Sequence, residues 1–243
     1  MWVLALVPFA GFFVDGLIVP KKFLSVKLNM LESSAIFYDL FHFSKWITLA
    51  TLSTMLIARV DVFLLQVLST PVQVGLYSSA TQLAMIFPII TGSITTSLLP
   101  KFSVVTDKDV LRKFILNTIK FIPYLLLLLL ALLLVSGYVV EFLFGSKYLG
   151  SVNILRLLII GFVMGVFVNQ ISLIAFSLNK VRFLTTVIYI ELFINVILDY
   201  LLIPTYGAMG AAISNLTIKL FGNILICWYI FSLLGINVKC YRK

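Results

Sequence analysis

The feature that most constrains this chain is a run of apolar stretches, each close to 20 residues long, separated by short polar turns. They fall at 1–19, 45–67, 75–99, 119–141, 152–177, 183–203 and 207–234. About 20 consecutive apolar residues cross the ~30 Å hydrocarbon layer of a bilayer as a helix. Inside that layer a single segment satisfies its backbone polar groups only by being helical. The expected fold class is therefore all-α, a polytopic membrane protein of seven transmembrane helices. Composition agrees: 62% of the 243 residues are hydrophobic and 11% charged, against about 25% charged in soluble domains. A soluble enzyme is excluded.

The net charge of +9 would suit a nucleic-acid partner if it were spread over one face. It is not. Lys21, Lys22, Lys27 and Lys45 lie in one loop, and Lys101, Lys108, Arg112, Lys113 and Lys120 in another. Lys180 and Arg182 mark a short turn, and Lys239, Arg242 and Lys243 the tail. These are alternate loops; those between them carry only Lys147, while Arg59, Arg156 and Lys219 lie within spans. Under the positive-inside rule the rich loops and the C-terminus are cytoplasmic, so no nucleic acid is needed to explain the charge. Trp2, Trp46 and Trp228 sit near span ends, where an interfacial aromatic belt is expected. Cys227 and Cys240 read as free thiols without metal spacing, and no metal or cofactor is expected. This topology places Met1 outside, yet 1–19 lacks the charged start and cleavage site of a signal peptide. It reads as an internal helix whose upstream partners are elsewhere.

Two polar segments interrupt the spans. Residues 20–43 read as a linker, amphipathic at best, with His42 a solvated side chain rather than a ligand. In 103–120, Val110, Leu111, Phe114 and Ile115 alternate with Asp107, Asp109, Arg112 and Lys113, as in a helix lying on a membrane surface.

Charges within hydrocarbon cost several kcal/mol unless they face a partner or a wet cavity, so each one is a functional candidate. At about 100° per residue, Thr48, Thr51, Met55, Arg59 and Gln66 share one side of the second span. Asp61 and Thr54 point to the other, so Arg59 is expected to face a cavity and Asp61 a neighbouring helix. Glu191, Asn195 and Asp199 form a stripe at i, i+4, i+8, and Asn215, Lys219 and Asn223 repeat it on the next span. Counting away from the hairpin at 203–208 levels Glu191 with Lys219 and Asn195 with Asn215. An ion pair and an Asn–Asn contact are expected, serving either to hold the hairpin or to take part in transport. Arg156 starts its span close to the outer face, where it can snorkel to headgroups. Pro88 and Gly92 predict a kink, and a kink is a candidate hinge. Gly161 and Gly165 form a G-x-x-x-G that allows close helix approach.

The succession R-x-D, VGLYSSATQL and LLPKFS, followed by INVILDYLLIPTYGAMGAAISN, resembles the polysaccharide-flippase branch of the multidrug/oligosaccharidyl-lipid/polysaccharide exporter superfamily. The likeness covers residues 44–234. It implies two six-helix lobes joined by a cytoplasmic linker around a central cavity. Residues 1–19 then correspond to the last helix of a first lobe, 20–43 to the linker and 44–243 to the second lobe. The missing first lobe, or a second copy in a homodimer, would complete the cavity. It also implies a place in the plasma (inner) membrane and, as substrate, a lipid-linked oligosaccharide of the polyprenyl-pyrophosphate type, moved from the inner to the outer leaflet. Cationic side chains would meet the pyrophosphate, with Arg59, Lys219 and Arg156 as substrate-binding candidates. Asp61, Glu191 and Asp199 would serve a coupling H⁺ or Na⁺, with Gln66, Asn195, Asn215 and Asn223 lining a polar cavity.

Three other readings compete. A cation-coupled multidrug exporter of the same superfamily would favour carboxylates over cations in its spans, and here they balance. A half on its own would be inactive, because alternating access needs two bodies. A membrane glycosyltransferase or polymerase needs a catalytic loop outside, and the outward loops hold only Glu141 and Lys147 as charged residues.

Overall fold

The computed structural model describes residues 30–102, 105, 107–178 and 180–235. The span expected at 1–19, residues 20–29 of the linker, and Cys240 lie outside them. Among the described residues the regular structure is helical: α1 Met30–Leu68, α2 Pro71–Ala84, α3 Ile86–Phe102, α4 Lys108–Ile119, α5 Ile122–Phe144, α6 Ser151–Ser177, α7 Val181–Tyr206 and α8 Ala208–Leu234. Six stretches of the described residues are long and apolar enough to cross a membrane. The chain divides into two compact units, Met1–Lys45 and Trp46–Lys243. In the first, the described residues are the start of α1; the second holds the bundle.

Local chemistry sets most helix ends. Pro71 opens α2 at a position where a missing N–H costs nothing, and Pro123 does so for α5. Gly235, at φ +64°, closes α8 in the left-handed conformation that glycine adopts without strain. The helix is interrupted close to where the kink is expected: α2 stops at Ala84 and α3 starts at Ile86, with Met85 between. Pro88 has no N–H to offer the Ala84 carbonyl, so the ladder opens there.

Two details go beyond expectation. The second span begins at Ser44, as expected to within a residue, but α1 runs unbroken into it from Met30. The 103–120 segment is a helix at Lys108–Ile119, capped where the Asp107 carboxylate accepts the Asp109 amide at 2.9 Å. Its apolar face does not lie bare toward lipid. Leu111 and Ile115 are fully buried against Phe102, Ile171, Ile174, Ile230 and Leu234.

α6 is the central helix of the bundle, packed by α8, α2, α3 and α5. Its sequence explains this: small residues, Gly161 among them, let neighbours approach, and Gly161 faces the Lys219 stem and Leu216 of α8. The apolar interior forms two separate clusters. One gathers Leu65, Tyr77, Ala84, Leu158, Ile203 and Ala211; the other gathers Phe102, Ile115, Ile174, Leu184 and Ile230. Along α7 and α8, residues 191–199 and 214–223 fall between them, so the polar stripes form a waist between two apolar layers.

The two ends of the bundle are also distinct. At one end Thr185 Oγ1 donates to the Trp46 carbonyl at 3.2 Å, Ser177 Oγ to that of Phe102 at 2.6 Å, and Arg112 Nε to that of Leu234 at 2.8 Å. At the other, Gln73 Oε1 accepts the Ala208 amide at 3.0 Å. Of the basic segments, the one around Lys101 and Arg112 and the turn at Lys180 and Arg182 lie at the first end, so there the alternation of charge and the alternation of helix direction agree.

Candidate functional site

Asp61 and Arg59 divide as their angular separation requires. Asp61 is 3% exposed, whereas Arg59 is exposed together with Thr48, Thr51, Met55 and Gln66. Thr54 departs from the expectation: it is exposed too, its hydroxyl donating to the Ala50 carbonyl at 2.8 Å. Arg59 has no hydrogen bond or ion pair among the described residues, so its charge is presented at the lobe surface.

Inside the lobe, Asp61 Oδ2 accepts two hydrogen bonds, from the Tyr77 hydroxyl of α2 and from Asn215 Nδ2 of α8 at 3.0 Å. Asp199 of α7 is fully buried and within electrostatic reach of Asp61. One turn along α7, Asn195 donates its amide to Ser214 Oγ at 3.2 Å. Four helices thus converge on one cluster. Five of its buried oxygens make no well-formed hydrogen bond among the described residues: Asp61 Oδ1, Asn195 Oδ1, Asn215 Oδ1 and both oxygens of Asp199, whose carboxylate stands beside the Ser214 hydroxyl and Asp61.

Oxygen atoms of this kind suit a proton or a hard cation, which prefers carboxylate and carbonyl ligands. The charge balance points the same way. Among the described residues Lys219 supplies the ammonium near this waist, acted on by Glu191 and Asp61, against three carboxylates, Asp61, Asp199 and Glu191, and an uncompensated carboxylate in a dry interior is expensive.

Glu191 and Lys219 are electrostatic neighbours, but the expected ion pair is not made. Lys219 is half-buried with its Nζ 4.5 Å over the Phe162 ring. The Glu191 carboxylate lies against Gly222, where a Cβ would overlap it. The Asn195–Asn215 contact is replaced as well: Asn195 meets Ser214, and Asn215 meets Asp61. Counting along the hairpin gives the level of each residue but not the face it turns, and the Asn215 amide turns to Asp61 of α1. Lys219, expected at the headgroup, is accordingly inside the lobe.

The remaining candidates lie apart from this cluster. Arg156 is exposed, its Nε donating to Ser136 Oγ at 3.0 Å and its Nη1 to Asn153 Oδ1 at 3.4 Å, which ties α5 to α6. Asn223 continues the α8 stripe, its Nδ2 buried without an acceptor among the described residues. Pro88 and Gly92 are exposed at the interruption between α2 and α3. Tyr77 and Ser214 were not singled out by sequence reasoning. The signal for Tyr77 was available, since a phenol within an apolar helix needs a hydrogen-bond partner. Ser214 carried none beyond its place beside Asn215.

Residues 4–153 match the model of the family described as "Polysaccharide biosynthesis protein". The chain belongs to that family. The matched range includes Arg59, Asp61 and Tyr77 and stops before Glu191, Asp199 and Lys219. Over 201 residues this polysaccharide biosynthesis protein is 28% identical to a Shigella flexneri protein named "Putative O-antigen transporter". That alignment covers 79% of the present chain and 46% of the relative. The chain therefore spans about half the length of the curated relative it matches. No solved structure matches it. With six apolar helices among the described residues, this member of the polysaccharide biosynthesis family is a multi-pass membrane protein.

Proposed function

We propose that this chain is one lobe of a transporter, not an enzyme, that flips a polyprenyl-pyrophosphate-linked oligosaccharide from the inner to the outer leaflet for polysaccharide biosynthesis. It resides in the inner cell membrane with its basic loops and C-terminus in the cytoplasm. Residues 44–243 form the lobe, 20–43 the linker, and 1–19 the last helix of a partner lobe, which another polypeptide segment or a second copy supplies. Arg59 and its exposed stripe line the cavity and meet the pyrophosphate, and Arg156 meets headgroups at the outer surface. Asp61 and Asp199, with Glu191 nearby, take the coupling H⁺ or Na⁺. The break at Met85, with Pro88 and Gly92, is the hinge.

The observation that supports this reading best is the set of buried oxygens without a hydrogen bond at the bundle's waist, one of them, Asp61 Oδ1, on α1, the helix that also carries Arg59. A structural polar network would have its acceptors filled, because unsatisfied polar groups in hydrocarbon cost several kcal/mol each. A network that must take up and release an ion keeps them open. The test is Asp61→Asn and Asp199→Asn in the source cell, scoring leaflet distribution of the lipid-linked oligosaccharide. Accumulation on the cytoplasmic side, with the variant protein present at normal level in the membrane, is expected for both. Unchanged surface polysaccharide would sink the reading.

A further inference from the structure

Lys219 is the one ammonium in the polar waist, and its surroundings are unusual for a lysine. Its Nζ sits over the face of Phe162, 4.5 Å from the ring centroid. Its stem lies against Gly161, with Cδ 3.1 Å from where a side chain there would begin. Glu191 and Asp61 both act on it electrostatically, yet it makes ion-pair contact with neither. A cation–π contact is worth about 0.5–2 kcal/mol, far less than a charge pair in a low-dielectric interior. The ring is therefore a resting place, and the carboxylates are the stronger attraction.

Helix geometry gives the ammonium a route between the two. Side chains lean toward the N-terminus of their helix, and the residue one turn N-terminal to Lys219 is Asn215. Asn215 holds Asp61 Oδ2 at 3.0 Å and presents a donorless Oδ1. A helical turn rises about 5.4 Å, close to the length of a lysine stem. A stem of that length spans one turn of its own helix, the interval from Lys219 to Asn215, which itself holds Asp61. Glycine at 161 leaves the stem room to swing.

We propose that Lys219 is a tethered counter-cation for this cluster. Its ammonium occupies the Asp61–Asp199 oxygens when the coupling cation is absent and retreats to Phe162 when it is bound. Lysine and coupling ion then exclude each other, so the waist is never left with three bare carboxylates and the ion can be expelled without an outside charge. The charge relation rests on geometry; its part in coupling rests on the function proposed above.

The test uses the full 243-residue chain purified in detergent, with melting temperature as the readout, in sodium chloride and in N-methylglucamine chloride. Lys219→Met keeps the stem and removes the charge. Without sodium it is expected to melt on the order of 5 °C below wild type. Adding Asp61→Asn removes one carboxylate and is expected to restore most of that loss, as Lys219→Arg is expected to avoid it. Sodium restoring Lys219→Met identifies Na⁺ as the ion that shares the site; restoration by Asp61→Asn alone supports the proposal with a proton in that role. A Lys219→Met protein as stable as wild type overturns the proposal. So does a loss relieved by Glu191→Gln and not by Asp61→Asn, since Lys219 would then serve Glu191 only. Should the charge relation hold while Asp61→Asn leaves flipping intact, the counter-cation stands and the coupling role falls.

Discussion

Asn215 donates its side-chain amide to the Asp61 carboxylate across 3.0 Å, joining residues 154 positions apart. The contact links α1 to α8 through the waist between the two apolar layers. It also fixes which Asp61 oxygen is filled: Oδ2 takes both Asn215 and Tyr77, and Oδ1 is left open. One carboxylate thus does two jobs, anchoring a helix with one atom and offering the other to an ion.

Removing either donor tests the anchoring role. Hydrogen bonds between membrane helices average about 0.6 kcal/mol and reach about 1.7, and this one involves a charged acceptor. Tyr77→Phe is expected to cost about 1 kcal/mol, a fall in melting temperature of about 2–4 °C for a chain of this size. Asn215→Ala should cost a similar amount. A loss in either variant of less than 1 °C in detergent would mean that apolar packing alone holds α1.

The position of Glu191 gives a second expectation. Gly222 has no side chain, and a methyl group there would overlap the Glu191 carboxylate. Overpacking of a filled site costs about 1–3 kcal/mol. Gly222→Ala should therefore destabilise the lobe by about that much, and Glu191→Ala in the same chain should relieve most of it. The measurement is a double-mutant cycle by thermal unfolding. Additive losses would show that Glu191 swings clear of Gly222 at no cost.

The spans were legible because their signal is one-dimensional. Hydrocarbon thickness sets the length, and turn residues set the ends: 152–177 and 207–234 are Ser151–Ser177 and Ala208–Leu234 to within a residue. The opposite orientations of Arg59 and Asp61 were legible too, since they follow from helical periodicity alone. The contacts of the waist were not. Glu191 opposite Lys219 and Asn195 opposite Asn215 follow from an isolated hairpin, but Asp61, from a helix outside the hairpin, takes the Asn215 amide. Tyr77 joined the cluster unannounced because its stretch, GLYSSA, carries no charge to mark it. The start of the second span was legible as well: the apolar stretch begins at Ser44, one residue from the expected 45, although α1 itself continues upstream of it.

The hairpin between α7 and α8 depends on a residue from elsewhere. Gly207 has φ +56° and ψ −132°, a conformation that only glycine adopts readily. A Cβ there would stand 2.9 Å from Gln73 Oε1, the atom that accepts the Ala208 amide and satisfies the start of α8. Gln73→Ala should cost about 1 kcal/mol as a lost cap. Gly207→Ala should cost more, about 1–3 kcal/mol, because backbone strain adds to the clash. Combined, they should lose less than the sum, the clash being shared. Hydrogen exchange at the Ala208 amide would check the cap directly: protection should fall in Gln73→Ala, and unchanged protection would remove Gln73 from the account.

Arg59 separates function from folding most cleanly. It is exposed and has no partner among the described residues, so its replacement by Gln should change stability by no more than about 0.5 kcal/mol. If it meets a pyrophosphate in the cavity, the loss is instead in binding. A hydrogen bond to a charged group is worth about 1.5–3 kcal/mol, which corresponds to roughly 10–100-fold in affinity. Arg59→Lys should lose less, keeping the charge but not the planar fork that fits phosphate oxygens. The measurement is binding of a short-chain polyprenyl pyrophosphate to the detergent-solubilised chain, with melting temperature followed in parallel. Weaker binding at unchanged stability is expected for Arg59→Gln. Equal affinities for wild type and Arg59→Gln would place the headgroup elsewhere, and a fall in stability as large as that of Tyr77→Phe would make Arg59 a packing residue.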